Sequence, residues 1–122
     1  MERTRHSLFF VGALIAAIPS SALAETWRCD ATRAVTCADG ACNPGNPTIW
    51  LLVDFDAATY SRCDDKGCDL YPLNAMVSGV FINASYNPGA FFKALQDASQ
   101  FIEVVTQQLQ TITYFGACRI QQ

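Results

Sequence analysis

The chain has 122 residues, eleven acidic against eight basic side chains, six cysteines and a single histidine. That length allows one small domain and a modest core. The net charge of −3 without any Lys/Arg cluster excludes recognition of a phosphate backbone, so no nucleic-acid partner is expected.

The first element is a leader. Arg3 and Arg5 precede an unbroken apolar run from Leu8 to Ile18; Pro19-Ser20-Ser21 break it, and Ala22-Leu23-Ala24 forms a small-x-small site. This layout predicts a secretory signal peptide over residues 1–24, cleaved after Ala24, and a periplasmic or secreted product of bacterial type. The run is shorter than the ~20 apolar residues that span a bilayer, so no stable membrane insertion is expected after cleavage. No cysteine follows the cleavage site, which argues against a lipid anchor.

The mature part, Glu25 to Gln122, would be one domain of 98 residues with ten acids and six bases, net −4. An acidic surface biases encounter toward a basic protein partner. The only histidine, His6, leaves with the leader. Ser-His and Cys-His nucleophile pairs are thereby excluded, as is the commonest transition-metal ligand. Asp54, Asp56, Asp64, Asp65, Asp69, Asp97 and Glu103 offer carboxylates, but nothing in their spacing pairs two across a cleft. The expectation is a non-enzyme without a cofactor or metal.

From residue 25 onward the pattern is β. "TIWLLVDFD" (48–56) places Ile49, Leu51, Val53 and Phe55 on one face and Trp50, Leu52, Asp54 and Asp56 on the other. "TYSRC" (59–63) and "CDLYPL" (68–73) read as short strands, and "MVSGVFINASY" (76–86) as an alternating one. Turn chemistry stands at "ADGA" (38–41), "NPGNP" (43–47), "DAAT" (56–59), "DDKG" (64–67) and "NPG" (87–89). Trp27, Trp50, Tyr60, Phe81, Phe101 and Tyr114 are expected in the core or half-buried in the sheet. If Trp50 and Leu52 were exposed, their face would be a contact surface. Asn83-Ala84-Ser85 fits a glycosylation sequon, which carries little meaning behind a bacterial export signal.

The C-terminal third supports two readings. Phe91, Leu95, Ala98, Ile102, Val105, Leu109 and Ile112 recur at helical spacing. Cut instead into "AFFKALQ", "FIEVVTQ" and "TITYFGAC", with turns at 96–100 and 107–110, the segment is rich in strand formers. Composition favours sheet, with a helical turn or two allowed near residues 90–99. The fold class is mainly β, a small antiparallel β-barrel or sandwich stapled by disulfides.

An even cysteine count in a small exported chain reads as a disulfide framework. Cys37 and Cys42 enclose "ADGA", and Cys63 and Cys68 enclose "DDKG". A hairpin turning about Asp65-Lys66 sets 63 opposite 68, and one about Asp39-Gly40 sets 37 opposite 42. Cys29 and Cys118 would then tie the first strand to the last. The alternatives are weaker. "DDKGCD" has carboxylates at the wrong offsets for a calcium loop. A zinc site from two C-x4-C pairs and a redox motif both sit poorly with an oxidising compartment.

"TWRC" at 26–29, "SGVF" at 78–81 and "FGACRIQQ" at the end together resemble the periplasmic MliC-like inhibitors of c-type lysozyme. The resemblance implies an eight-stranded antiparallel barrel in which an early aromatic-x-Cys pairs with a near-terminal Cys, here Trp27-x-Cys29 with Cys118. It also implies an inhibitory loop, here Ser78, Gly79, Val80 and Phe81, with Ser78 entering the lysozyme cleft and bonding its catalytic carboxylates. Phe81 stands where the family has Tyr, Pro88 stands where it has Lys, and Lys93 is the nearby cation. Against this, Ser-Gly in a strand is also ordinary β-bulge chemistry.

Two functional readings follow, with a third behind them. The first is a structural or binding module of the cell envelope without a nameable ligand. The second is an inhibitor of c-type lysozyme acting through Ser78 to Phe81. The third is a small carboxylate hydrolase.

Overall fold

The computed structural model describes residues 25–86 and 89–121. The expected signal peptide, His6, and Asn87 and Pro88 of the expected "NPG" turn lie outside these residues.

Ten antiparallel strands make one sheet: β1 (Thr26–Ala38), β2 (Ala41–Gly45), β3 (Trp50–Asp54), β4 (Thr59–Asp64), β5 (Gly67–Pro72), β6 (Asn74–Ser78), β7 (Phe81–Ser85), β8 (Ala90–Leu95), β9 (Phe101–Gln107) and β10 (Gln110–Gln121). Nine of them pair in the order β5-β4-β3-β1-β10-β9-β8-β7-β6, and β2 pairs with the second half of β1. β5 and β6 are the two ends of this path, yet only Leu73 separates them in the chain. The sheet therefore curls until its ends meet at Leu73, giving a nearly closed barrel. Taken as one strand bent at Leu73, β5 and β6 leave a circuit of eight with β2 outside it.

Period-two burial explains why the helical stripe does not form a helix. In β8, Ala90, Phe92 and Ala94 are buried while Phe91 and Lys93 face out. Of the helical stripe, Phe91 is 66% and Leu109 96% exposed, so its members share no face. The helical turns allowed near 90–99 are strand β8 and the turn after it; the described residues hold no helix, hence none long and apolar enough to cross a membrane. Inward side chains from both halves of the sheet build the core, led by Trp27, Leu51, Val53, Tyr60, Ile82, Phe92 and Phe101.

One expected turn and one expected strand need correction. "NPGNP" is not a turn: Asn43, Pro44 and Gly45 belong to β2. The turn lies one step earlier, at Asp39-Gly40, where φ of 51° and 74° meets the type I′ requirement and starts the register that carries on through Pro44. Pro44 is tolerated because β2 is an edge strand. Conversely, "MVSGVFINASY" is not one strand but the β6–β7 hairpin, with Ser78 opposite Phe81. Gly79, at φ 60°, takes the first turn position, where type II′ needs positive φ and glycine has no Cβ to clash. The bulge considered for Ser78-Gly79 is thus a turn.

A bulge does occur in β1. The β1–β10 register slips between Ala31 and Arg33, leaving Thr32 as the extra residue. Before it Trp27, Cys29 and Ala31 point inward; after it Ala34 does, and Arg33 faces solvent. A one-residue slip exchanges the two faces of a strand. Opposite Ala31 lies Gly116, where a Cβ would sit 2.0 Å from the Asp30 carbonyl oxygen. Only glycine allows the strands to approach so closely there.

The disulfides join directly opposed residues: Cys29 to Cys118 across β1–β10, Cys37 to Cys42 across β1–β2, and Cys63 to Cys68 across β4–β5. No described cysteine is free. The stretch "RCDDKGCD" is accordingly a stapled hairpin tip, with the Asp64 carboxylate accepting from the Lys66 amide at 2.8 Å.

Candidate functional site

The β6–β7 hairpin tip is built from local chemistry and braced from beside. Gly79-Val80 closes the turn, and Ser78, on its flank, is exposed. Gln96, in the turn after β8, donates through Nε2 to the Gly79 carbonyl at 2.5 Å and through its backbone amide to the Val80 carbonyl at 2.8 Å. These two bonds fix the tip against the barrel wall. Phe81 pairs with Leu95 in β8, which puts Lys93, two residues along, diagonal to it on the same outer face. The Lys93 ammonium sits 4.3 Å from the centre of the Phe81 ring, in cation–π range. The structure therefore gathers Ser78, Gly79, Phe81 and Lys93 into one hairpin and its neighbouring strand. Val80, between them in sequence, is 64% exposed and is the most prominent apolar side chain of the tip.

The Trp50–Leu52 face offers less. Both side chains are half-buried, and the Arg28 guanidinium covers Trp50 at 4.9 Å.

Inside the barrel lies a polar cluster that spacing did not reveal. Glu103, on β9, has no solvent-accessible surface. Its carboxylate accepts hydrogen bonds from the Tyr60 hydroxyl at 2.5 Å, from the Tyr86 hydroxyl, and from Arg62 Nε at 3.3 Å. The two tyrosine rings stack at 3.9 Å, and Arg62 lies 4.8 Å over the Tyr114 ring. The cluster joins β4, the end of β7 and β9 through the interior. It had a signal: in "FIEVVTQ" Glu103 shares a face with Phe101 and Val105, and a carboxylate at core parity needs partners.

Burial, followed by the Glu103 charge, holds the phenol pKa of both Tyr60 and Tyr86 well above the ordinary value of 10.0. Burial alone would lower the Arg62 guanidinium, but Glu103 together with Tyr114 and Tyr86 outweighs it and the net shift is upward. The protonated phenols are thus the folded-state form. Because their pKa values are raised on folding, their contribution is complete below about pH 10 and falls as pH rises beyond it. Followed by phenolate absorbance, Tyr60 and Tyr86 should ionise only together with loss of the β circular dichroism signal. Tyr60→Phe and Tyr86→Phe variants would assign the phenolate signal to each residue, and phenolates appearing at these positions in a still-folded protein would contradict the arrangement.

Three of the aspartates considered for a hydrolase shape turns. Asp54 accepts from the Ala57 amide at 2.9 Å and Asp64 from Lys66, so both shape turns. Asp97 does the same for Ser99, whose hydroxyl and amide lower its carboxyl pKa. Among the described residues no group of three or more His, Cys, Asp or Glu could hold a metal. Compared with protein-family models and with curated proteins, the chain matches none.

Proposed function

We propose that this chain is an exported, non-enzymatic binding module whose contact element is the β6–β7 hairpin tip. The observation that carries this reading is the exposed, braced tip itself: Ser78 flanks a fixed type II′ turn, with Lys93 held on Phe81 beside it. A rigid tip loses little conformational entropy on binding. Export is supported by the leader sequence together with three disulfides, which persist in oxidising compartments.

The specific partner best supported is a c-type lysozyme. An exposed hydroxyl on the tip and an ammonium on the strand beside it can face a cleft lined by carboxylates, Ser78 donating to one and Lys93 offsetting their charge. What supports this reading is the exposed Ser78 to Phe81 tip on a barrel whose first and last strands are stapled by Cys29–Cys118. A lysozyme lysis assay with the purified protein tests it. Excess protein should block lysis, and Ser78→Ala should weaken inhibition roughly 10- to 100-fold, the effect of losing one hydrogen bond to a charged group. Undiminished lysis at excess protein would remove the lysozyme reading.

A further inference from the structure

The outer face of β8, β9, β10 and β1 carries an open groove of about 700 Å³, whose lining includes Arg33, Phe81, Lys93, Ile102 and Phe115. The strand registers put Lys93 opposite Ile102, Ile102 opposite Phe115, and Phe115 opposite Arg33. These four residues form one row across four strands. Each end of the row is a cation laid on an aromatic ring: Lys93 on Phe81, and the Arg33 guanidinium 4.8 Å over Phe115. The middle is apolar, and Ala117, exposed on β10, adds only a methyl group beside it. No carboxylate lines the groove among the described residues, although the chain is acidic overall.

We propose that this groove binds an extended segment of an acidic partner protein with the pattern acidic-x-apolar-x-acidic, lying across the strands. The spacing follows from backbone geometry. Neighbouring strands are ~4.8 Å apart, so the three steps from Lys93 to Arg33 cover about 14 Å. An extended peptide advances ~3.4 Å per residue and shows residues i, i+2 and i+4 on one side, so i and i+4 are also about 14 Å apart. Carboxylates at i and i+4 meet Lys93 and Arg33, while the apolar residue at i+2 seats on Ile102 and Phe115. A concave strip with charge at both ends suits a peptide better than a flat lipid surface. The proposal does not depend on the lysozyme reading. Phe81 and Lys93 are common to both surfaces, but Arg33 lies on β1, away from the hairpin.

The test is fluorescence anisotropy of a labelled peptide with an Asp-x-Phe-x-Asp core, titrated with the disulfide-bonded protein at low ionic strength. The comparison peptide has the same composition with its aspartates three residues apart. Saturable binding is expected for the first peptide, weaker binding for the second, and loss of affinity with added salt. Arg33→Glu and Lys93→Glu should each weaken binding about five-fold or more, as expected for an exposed charge pair turned repulsive. Both side chains are solvent-facing, so circular dichroism should show an unchanged fold. Ser78→Ala should leave peptide binding intact while affecting only the lysozyme assay. Absence of binding, indifference to aspartate spacing, or full affinity in Arg33→Glu would overturn the proposal. So would binding to phosphatidylglycerol vesicles, in place of the peptide, that the same charge reversals abolish.

Discussion

Glu103→Ala should destabilise the domain by about 3–5 kcal/mol, the usual result of removing one partner from a buried charged network. The substitution leaves the Tyr60 and Tyr86 hydroxyls without their acceptor and Arg62 without its counter-charge, and it opens space between β4 and β9. At roughly 4–8 °C per kcal/mol for a domain of this size, the thermal midpoint should fall by about 12–40 °C. Glu103→Gln keeps one acceptor oxygen and should lose clearly less. The informative comparison is a cycle with Tyr60→Phe. Once Glu103 is gone, removing the Tyr60 hydroxyl should cost little or even help, because an unpartnered hydroxyl in the core is itself unfavourable. Additive losses would show that the bonds to Glu103 are not the coupling element.

The second large effect is expected at the staple between the first and last strands. Cys29 and Cys118 are 89 residues apart, while each C-x4-C pair spans five. In the loop-entropy model the long closure contributes about 4–5 kcal/mol and each short ring about 2. The pair Cys29→Ala/Cys118→Ala should therefore lose more stability than Cys37→Ala/Cys42→Ala by about 2–3 kcal/mol. Cys29 is fully buried, so a small cavity adds to the difference. Denaturant melts should also show a steeper slope for the first pair, since its unfolded chain is no longer tied end to end. Equal midpoints for the two pairs would contradict this ranking.

The sequence revealed the strands best where alternation and turn chemistry agreed. Leu51 and Val53 announce the inner face of β3, and Asp39-Gly40 and Asp65-Lys66 set opposed cysteines in register. It misled where a turn residue also fits a strand. Gly79 interrupts an alternation that otherwise runs unbroken from Met76 to Ala84, and only its positive φ shows that the chain reverses there. Pro44 shows the opposite error, being a turn former used on an edge strand. For the candidate site, the tip residues were visible as a motif, but the Gln96 brace depends on a contact between separate turns. The placement of Arg33 was illegible for a sharper reason. Simple alternation from Trp27 points it inward, and only the extra residue at Thr32 turns it toward Phe115. The Glu103 cluster was half legible: the carboxylate at core parity could be read from β9, but its tyrosine partners come from elements 17 and 43 residues away.

β2 lies outside the circuit and pairs only with β1. β3 covers the first half of one edge of β1, residues 26–30, and β2 covers residues 34–38 of that same edge. Without it, β1 would offer a row of free amides and carbonyls ready to recruit a strand from another molecule. β2 takes up those groups, and Pro44 then gives its own outer rim one donor fewer to pass on. The Cys37–Cys42 ring holds this cover in place. The worth of the ring would then lie less in melting temperature than in keeping folded chains from polymerising edge to edge.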